Sequence, residues 1–509
     1  MRRVIFLLAI VGAIAALLPG GLGAPRHAGA TTLTVNSFTD SYDGSCADAD
    51  CSLRDAVASA GDGDVVRVPP GFYPLSLAES GTPGDGSLGD GSLEIRTSIA
   101  IEAPEGGAFL DGTLLGAPIV DVAGGTTVAI RSVTAFGATT TGPAGFAWVQ
   151  DARVTLDHVT VSGGQGEVAG AVMVEAQGRL VMRASLVTEN RGTDGSGGID
   201  NRGTVSVRDS TFLRNVGRKG GGVRNASGAK LDLLNVTVAN NRVHRLGGGL
   251  YLRGDATLVN VTIAGNRAAR GGGIAPAQPA ASARLTIVAG NRATERGAQC
   301  LGPLTSLGDN VEQGRRCGFD AAGDRARTDP SLGRTTSNGG PTPTMSLHAG
   351  SPALDLGGTC GRRDQRGAPR DGRCDAGAYE RVLCLGRPVN IVGTPGDEEL
   401  SGGREPDTFL GLGGDDEFQG SLADDRACGG RGRDHLIGGP GPDVLVGGLG
   451  ADELEGEEGN DLLRGGAGPD GLDGGPGRDR CVALGSDDLV ACETEVSAQR
   501  TTRRRSGGQ

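Results

Sequence analysis

The sequence predicts an all-β chain built as two solenoids in tandem, a right-handed parallel β-helix followed by a C-terminal β-roll. Three observations carry this expectation. Ten contiguous nine-residue units run from Gly393 to Val482. A looser repeat, with steps of 24, 27 and 24 residues between its Gly-Gly-apolar marks, runs through residues 150–295. Composition points the same way: glycine is 93 of 509 residues and aromatics are 3%. So few large side chains suit stacked coils better than a conventional globular core.

The first element is an export signal over residues 1–30. Arg2 and Arg3 precede an apolar stretch, Val4 to Leu18, and Ala28-Gly29-Ala30 offers small residues for cleavage before Thr31. No later stretch is apolar for long enough to cross a bilayer, so no membrane span is expected in the mature chain. Ten cysteines in an exported chain imply disulfides. They fall into the couples Cys46/Cys51, Cys300/Cys317, Cys360/Cys374 and Cys481/Cys492, which leaves Cys384 for Cys428. Zinc is disfavoured, because the cysteine spacings are wrong and histidines number five. A formal net charge of −12 gives no sign of nucleic-acid binding.

The β-helix, with an N-terminal cap, is expected over residues 31–298. Its strands are short, β-branched and alternating, as in Thr204-Val205-Ser206-Val207. The segments Asn235-Val236-Thr237-Val238 and Asn260-Val261-Thr262-Ile263 repeat one another. Asn190, Asn215, Asn241 and Asn266 recur in phase and can stack as a ladder at the turns. A leucine-rich repeat would need L-x-x-L-x-L spacing and a helical segment per coil, and neither is present. Ahead of the coils, Ser52 can cap a short helix whose apolar face is Leu53, Ala56 and Val57. Such a helix would cover the open end of the first coil, which otherwise exposes strand edges and core. The run Cys51-Ser52-Leu53-Arg54-Asp55-Ala56 resembles the C-S-L-R-E-A motif of bacterial β-helix surface proteins, with Asp in place of Glu.

Residues 299–383 read as a C-terminal cap. Asn338-Gly339-Gly340-Pro341, Gly350-Ser351-Pro352-Ala353-Leu354-Asp355, Asp364-Gln365-Arg366-Gly367 and Cys374-Asp375-Ala376-Gly377 occur in order. This run resembles the choice-of-anchor region of the same surface proteins. Asp364 and Arg366 are expected to tie the cap together by an arginine–carboxylate bridge.

The β-roll is expected over residues 384–494, with a disordered tail over 495–509. The clearest unit reads Gly438-Gly439-Pro440-Gly441-Pro442-Asp443-Val444-Leu445-Val446. Its sixth position is acidic in every unit: Glu398, Asp407, Asp416, Asp425, Asp434, Asp443, Asp452, Asp461, Asp470 and Asp479. The eighth position is apolar in every unit, from Leu400 to Cys481. Glycines at the start of each unit allow a tight turn, often with positive φ. Such turns can aim carbonyl oxygens inward, and a carboxylate completes an all-oxygen cage suited to a hard cation. Residues 393–482 hold 21 Asp and Glu against 7 Arg, a net of −14, and a divalent cation would relieve the repulsion.

The pattern G-G-x-G-x-D-x-U-x resembles the RTX, or haemolysin-type, calcium-binding repeat. The resemblance implies two units per turn, several Ca²⁺ ions held by the ten sixth-position carboxylates between units n and n+2, and folding that depends on Ca²⁺. The reading that follows is a secreted or cell-surface calcium-binding protein. It is non-catalytic, and its β-helix is available for adhesion or for binding extracellular polysaccharide. The alternative is a secreted polysaccharide lyase or glycoside hydrolase with a calcium-dependent accessory roll. Asp200, Asp209, His244 and Arg245 are the coil residues that such chemistry would recruit, and as surface turn residues they need no function.

Overall fold

The computed structural model describes residues 30–497, except 47–49, 77–90, 105–106, 277–280, 359, 371–372 and 484–486. The expected signal peptide, apart from Ala30, and the tail beyond residue 497 lie outside the described residues. Apart from one helix, the described regular structure is β.

Residues 32–326 wind into a parallel β-helix with three sheets. The longest has 19 strands, from Thr32–Thr34 to Arg325–Ala326, all paired in parallel. Each middle coil contributes two stretches to it, such as Arg179–Arg183 and Leu186–Thr188. The second sheet stacks eight short strands, and its register aligns Leu93, Val120, Ala147, Val172, Ile199, Val223, Leu250 and Ile274. The third sheet has six strands, from Gln165–Gly166 to Arg292–Arg296. Inward Val, Ile and Leu from successive coils form one continuous core. Stacking identical strands lets a chain poor in aromatics bury apolar area with small β-branched residues.

Each coil bends where a residue takes the left-handed backbone conformation. Asp209, Asn235 and Asn260 occupy the same corner, with φ of 52°, 53° and 52°. Asn and Asp tolerate this region better than other side chains. Their side chains then bond between coils: Asn260 Nδ2 donates to Asn235 Oδ1 at 3.1 Å, and Asn235 Nδ2 to Asp209 Oδ1 at 2.9 Å. A longer ladder forms at the expected positions. Asn190, Asn215 and Asn241 each donate Nδ2 to the Oδ1 of the next rung, at 3.0, 3.0 and 2.9 Å. It continues through Asn266 to Asn291 and ends on Gln299 Oε1. Every rung is buried, and the same Oδ1 also accepts the backbone N–H of the preceding rung.

The N-terminal end is closed by the helix Leu53–Ser59. Ser52 caps it, and Asp55 completes a capping box. Leu53, Ala56 and Val57 are buried as expected, and so is Arg54, which bonds Asp40 at 2.9 Å. The parallel pairing continues past residue 298: Thr305–Ser306, Val311–Glu312 and Arg325–Ala326 extend the long sheet.

Residues 338–380 belong to the region expected as a cap. They fold back as a strap along the flank of the long sheet. Thr211 and Thr237, successive outward residues of that sheet, bond Pro343 O and Gln365 Oε1 at 2.6 and 2.7 Å. Thr262, the next in the row, accepts from Ala378 N–H at 3.0 Å. Leu347, Ala353, Leu356 and Tyr379 cover Leu285, Ile287 and Val311. Inside the strap, Arg366 pairs with Asp364 at 2.9 Å with both side chains fully buried, and lies over the Tyr379 ring.

The roll follows. One sheet has seven strands, from Ile391–Val392 to Thr494–Ser497, and the other has six, from Glu399–Ser401 to Asp488–Val490. Phe409 pairs with Ala427, Ala427 with Leu445 and Leu445 with Leu463, so one turn is two units of nine. Eighth-position residues from Phe409 to Cys481 fill the interior, and the Phe409 and Phe418 rings stack at 4.7 Å. All five expected disulfides are present; Cys384–Cys428 ties the roll's early turns to the segment leaving the strap.

Candidate metal centre

The roll's glycines divide into two kinds. Left-handed conformations fall at the second and fourth positions, as at Gly430 (φ 124°), Gly448 (127°), Gly432 (128°) and Gly450 (150°). A side chain at the fourth position would also run into the carbonyl of the turn below. The first-position glycines from Gly411 to Gly474 are not left-handed. They are required for another reason. At Gly456, an added Cβ would lie 2.5 Å from Asp461 Oδ2 of its own unit and 2.6 Å from Gly474 O, one turn on. Gly411 and Gly420 are crowded by the same two kinds of oxygen. The first glycine therefore keeps open a spot on which a carboxylate oxygen and a carbonyl oxygen converge.

The sixth-position carboxylates form two ladders, one per side of the roll. Odd units stack Glu398, Asp416, Asp434, Asp452 and Asp470; even units stack Asp407, Asp425, Asp443, Asp461 and Asp479. In each, one oxygen is satisfied: the backbone N–H of Asp425 donates to Asp443 Oδ1, and that of Asp443 to Asp461 Oδ1, both at 2.7 Å. The other oxygen is not. Oδ2 of Asp416, Asp425, Asp434, Asp443, Asp452, Asp461, Asp470 and Asp479 is buried and receives no hydrogen bond. Eight buried, unpaired carboxylate oxygens would be very costly without a counter-charge.

Their acidity reflects this. Burial pushes Asp416 and Asp443 up to about 7, and Asp425, Asp452 and Asp461 up to about 6. Neighbouring carboxylates such as Glu398, Asp407 and Asp479 raise them further, against the lowering effect of the backbone N–H bonds. Burial raises Asp434 and Asp470 as well. An array of oxygens, anionic and partly desolvated, fits Ca²⁺ better than a soft transition metal.

Two expected members differ. Glu398 Oε2 accepts from Thr394 N–H at 2.7 Å, and Asp407 Oδ2 from Gly403 N–H at 2.8 Å, so both are already partnered and only half-buried. At the other end Asp487 and Glu493 extend the ladders, accepting from Asp470 and Asp479 N–H. Nine-residue spacing misses them because the last turns shorten to 17 and 14 residues. The four coil residues that a lyase or hydrolase would recruit are not brought together. Asp200 is buried in the second sheet against Arg224 at 2.7 Å, Asp209 sits at a corner of the long sheet, and His244 and Arg245 lie exposed on the third sheet.

Three stretches, residues 392–427, 428–463 and 455–490, match the family described as RTX calcium-binding nonapeptide repeat (4 copies). The C-terminal part of the chain is therefore a set of RTX calcium-binding repeats. Among solved structures, the chain is similar to one titled crystal structure of pectate lyase Pel9A, at 14% identity and a TM-score of 0.37, over 70% of this chain and 98% of that one. No curated protein matches.

Proposed function

We propose that this is an exported, non-catalytic protein whose roll folds around several Ca²⁺ ions outside the cell, and whose β-helix binds extracellular polysaccharide or a cell surface. The observation that carries the calcium part is the row of buried Oδ2 atoms with no hydrogen-bond donor. The ligands are Asp416, Asp425, Asp434, Asp443, Asp452, Asp461, Asp470 and Asp479, with carbonyl oxygens of first-position glycines one turn on. Glu398 and Asp407 close the start of the stack. Bound Ca²⁺ supplies the positive charge that lets the carboxylates stay ionised and buried. The chain's own part is to hold one carboxylate oxygen by a backbone N–H and leave the other aimed into the gap beside a glycine. Five disulfides and a calcium-dependent fold suit an oxidising, calcium-rich exterior. The scatter of Asp200, Asp209, His244 and Arg245 over three sheets favours the non-catalytic reading over a lyase or hydrolase.

The test is hydrogen exchange of the mature chain, read on peptides from residues 393–482, with calorimetric Ca²⁺ titration alongside. Protection should rise over roughly 10⁻⁴–10⁻³ M Ca²⁺. Full protection in a chelator, or no gain at millimolar Ca²⁺, would falsify the calcium reading. Steady cleavage of any polysaccharide by the purified chain would overturn the non-catalytic part.

A further inference from the structure

We propose that the outer face of the long sheet across residues 127–208 is a binding groove for a carboxylated polysaccharide, a polymer of uronic acids. The proposal deepens the polysaccharide-binding reading of the β-helix and rests on it. The strands Thr127–Arg131, Arg153–Asp157 and Arg179–Arg183 floor a groove of about 560 Å³. Their register sets Arg153 beside Arg179, and places Arg131, Asp157, Arg183 and Arg208 in one row across four coils.

Like charges on neighbouring strands lie ~4.8 Å apart and destabilise a sheet. On several other coils an arginine is paired with a carboxylate on an adjacent coil, as in Arg96–Asp121, Arg202–Glu175, Arg214–Glu189 and Arg224–Asp200. In the groove, Arg153 and Arg179 make no ion pair among the described residues, and Arg183 stands in register beside Asp157, which is bonded to His158 at 3.0 Å. Arg183 Nε is buried and donates to nothing. The strap lies beside the groove, where its Pro341 lines a neighbouring recess with Ser132, His158 and Ala184, and no described strap residue lines the groove itself.

The remaining lining selects the ligand class. Asp151 and Asp157 stand among the arginines as acceptors, with Thr155 and Gln177. A sugar acid brings carboxylates for arginine and hydroxyl donors for aspartate. A nucleic-acid backbone presents phosphates that the two aspartates would repel. A polymer crossing the strands meets a new coil every ~4.8 Å, the scale of one sugar residue. On the two coils preceding the groove, Phe72 and Phe109 are 50% and 40% exposed, and their rings lie 6.2 and 6.5 Å from that of Phe136 on the groove's first coil. An exposed aromatic cluster in a chain with 10 phenylalanines offers flat apolar surface for sugar rings.

The experiment measures binding of the full mature chain, at fixed salt and millimolar Ca²⁺, to a polyuronate, the same polymer after carboxyl reduction, a neutral glucan, a sulfated glucan and single-stranded DNA. The polyuronate should bind best, and Arg153→Gln, Arg179→Gln and Arg183→Gln should each weaken it about tenfold or more. Arg253→Gln, on an exposed turn outside the groove, should change nothing. Arginine variants that unfold the coils would show it by hydrogen exchange; the lysine replacements, which keep the charge, then serve instead and should retain more than a tenth of the affinity. Equal binding of the carboxyl-reduced polymer, tighter binding of the sulfated glucan or DNA, or an unchanged affinity in the glutamine variants overturns the groove. In the first and last cases the broader polysaccharide reading survives; binding to no polysaccharide removes both.

Discussion

Replacing Asp443 by asparagine alters one oxygen, and the structure gives the consequence a sign in each of two states. The new side chain keeps Oδ1, so the 2.7 Å bond from Asp425 N–H persists. It converts Oδ2, the buried oxygen without a donor, into an amide nitrogen. In Ca²⁺ the variant loses a charged ligand and gains a donor that faces the cation. At roughly 1.5–3 kcal/mol for a charge-assisted contact, affinity should fall about 10- to 150-fold at the sites touching Asp443. In a chelator the effect reverses. Asp443 has its carboxyl pushed up to about 7 by burial, so above that pH the wild type buries an unpaired charge and the variant does not. The calcium-free roll should then be more protected in the variant, by about 1 kcal/mol after allowing for solvent around the open ladder. Calorimetry at about pH 8 reads the first effect, and hydrogen exchange of residues 438–461 in chelator reads the second. A variant that weakens both states, or that binds Ca²⁺ within threefold of wild type, would refute the assignment of Oδ2.

Acidification should act like that variant on the rungs whose carboxyls burial raises. Carboxyls raised to about 6–7 stabilise the calcium-free roll fully below their ordinary 3.8, and lose that effect as pH climbs through 6–7. In chelator, protection of residues 393–482 should therefore rise from about pH 8 to 5, while apparent Ca²⁺ affinity falls over the same window. Ser421 and Ala423 hold left-handed conformations, with φ of 83° and 90°, at positions where other units use glycine. Ser421→Gly and Ala423→Gly should each stabilise the fourth unit by about 1 kcal/mol, visible as slower exchange of residues 420–428. Asn241→Ala should cost about 3 kcal/mol or more. It strands Asn215 N–H in the core and removes one bond each from Asn215 Nδ2, Asn266 Oδ1 and Phe212 O, and equal loss of coil protection in chelator and in Ca²⁺ would check it.

Local repetition made much of this structure legible. The roll's register follows from glycine and aspartate recurring every nine residues, and the long ladder from asparagines at steps near 25. Ser52 announced its helix because a capping box is a short-range device. The strap was not legible in the same way. Thr211, Thr237 and Thr262 look like ordinary outward residues of a solvated sheet, and the segment that buries them lies more than 100 residues away. Buried Arg54 was missed for a similar reason, since its partner Asp40 precedes the helix in an irregular segment. Asp487 and Glu493 escaped because strict spacing cannot follow a stack whose last turns shorten. The groove arginines carry no motif; only the register shows that they stand side by side.

The two solenoids meet one physical problem with different side chains. A parallel coil stacks identical turns, so a polar side chain at a buried turn faces copies of itself above and below. Asparagine solves this alone, because its amide both donates and accepts: Asn215 takes two bonds from Asn190 on Oδ1 and donates Nδ2 to Asn241. Aspartate repeats half of that pattern. Asp443 Oδ1 takes a backbone N–H from Asp425 in the way that Asn215 Oδ1 takes one from Asn190. Its second oxygen has nothing to donate, and the rung above offers only another carboxylate. A ladder of carboxamides is therefore complete in protein atoms alone, whereas a ladder of carboxylates needs a proton or a cation at each rung. Exchanging oxygen for nitrogen at one atom per unit separates a ladder whose rungs satisfy one another from one that leaves an oxygen at each rung for a cation. Under the proposed function, the β-helix forms without calcium, and Ca²⁺ controls only the second solenoid.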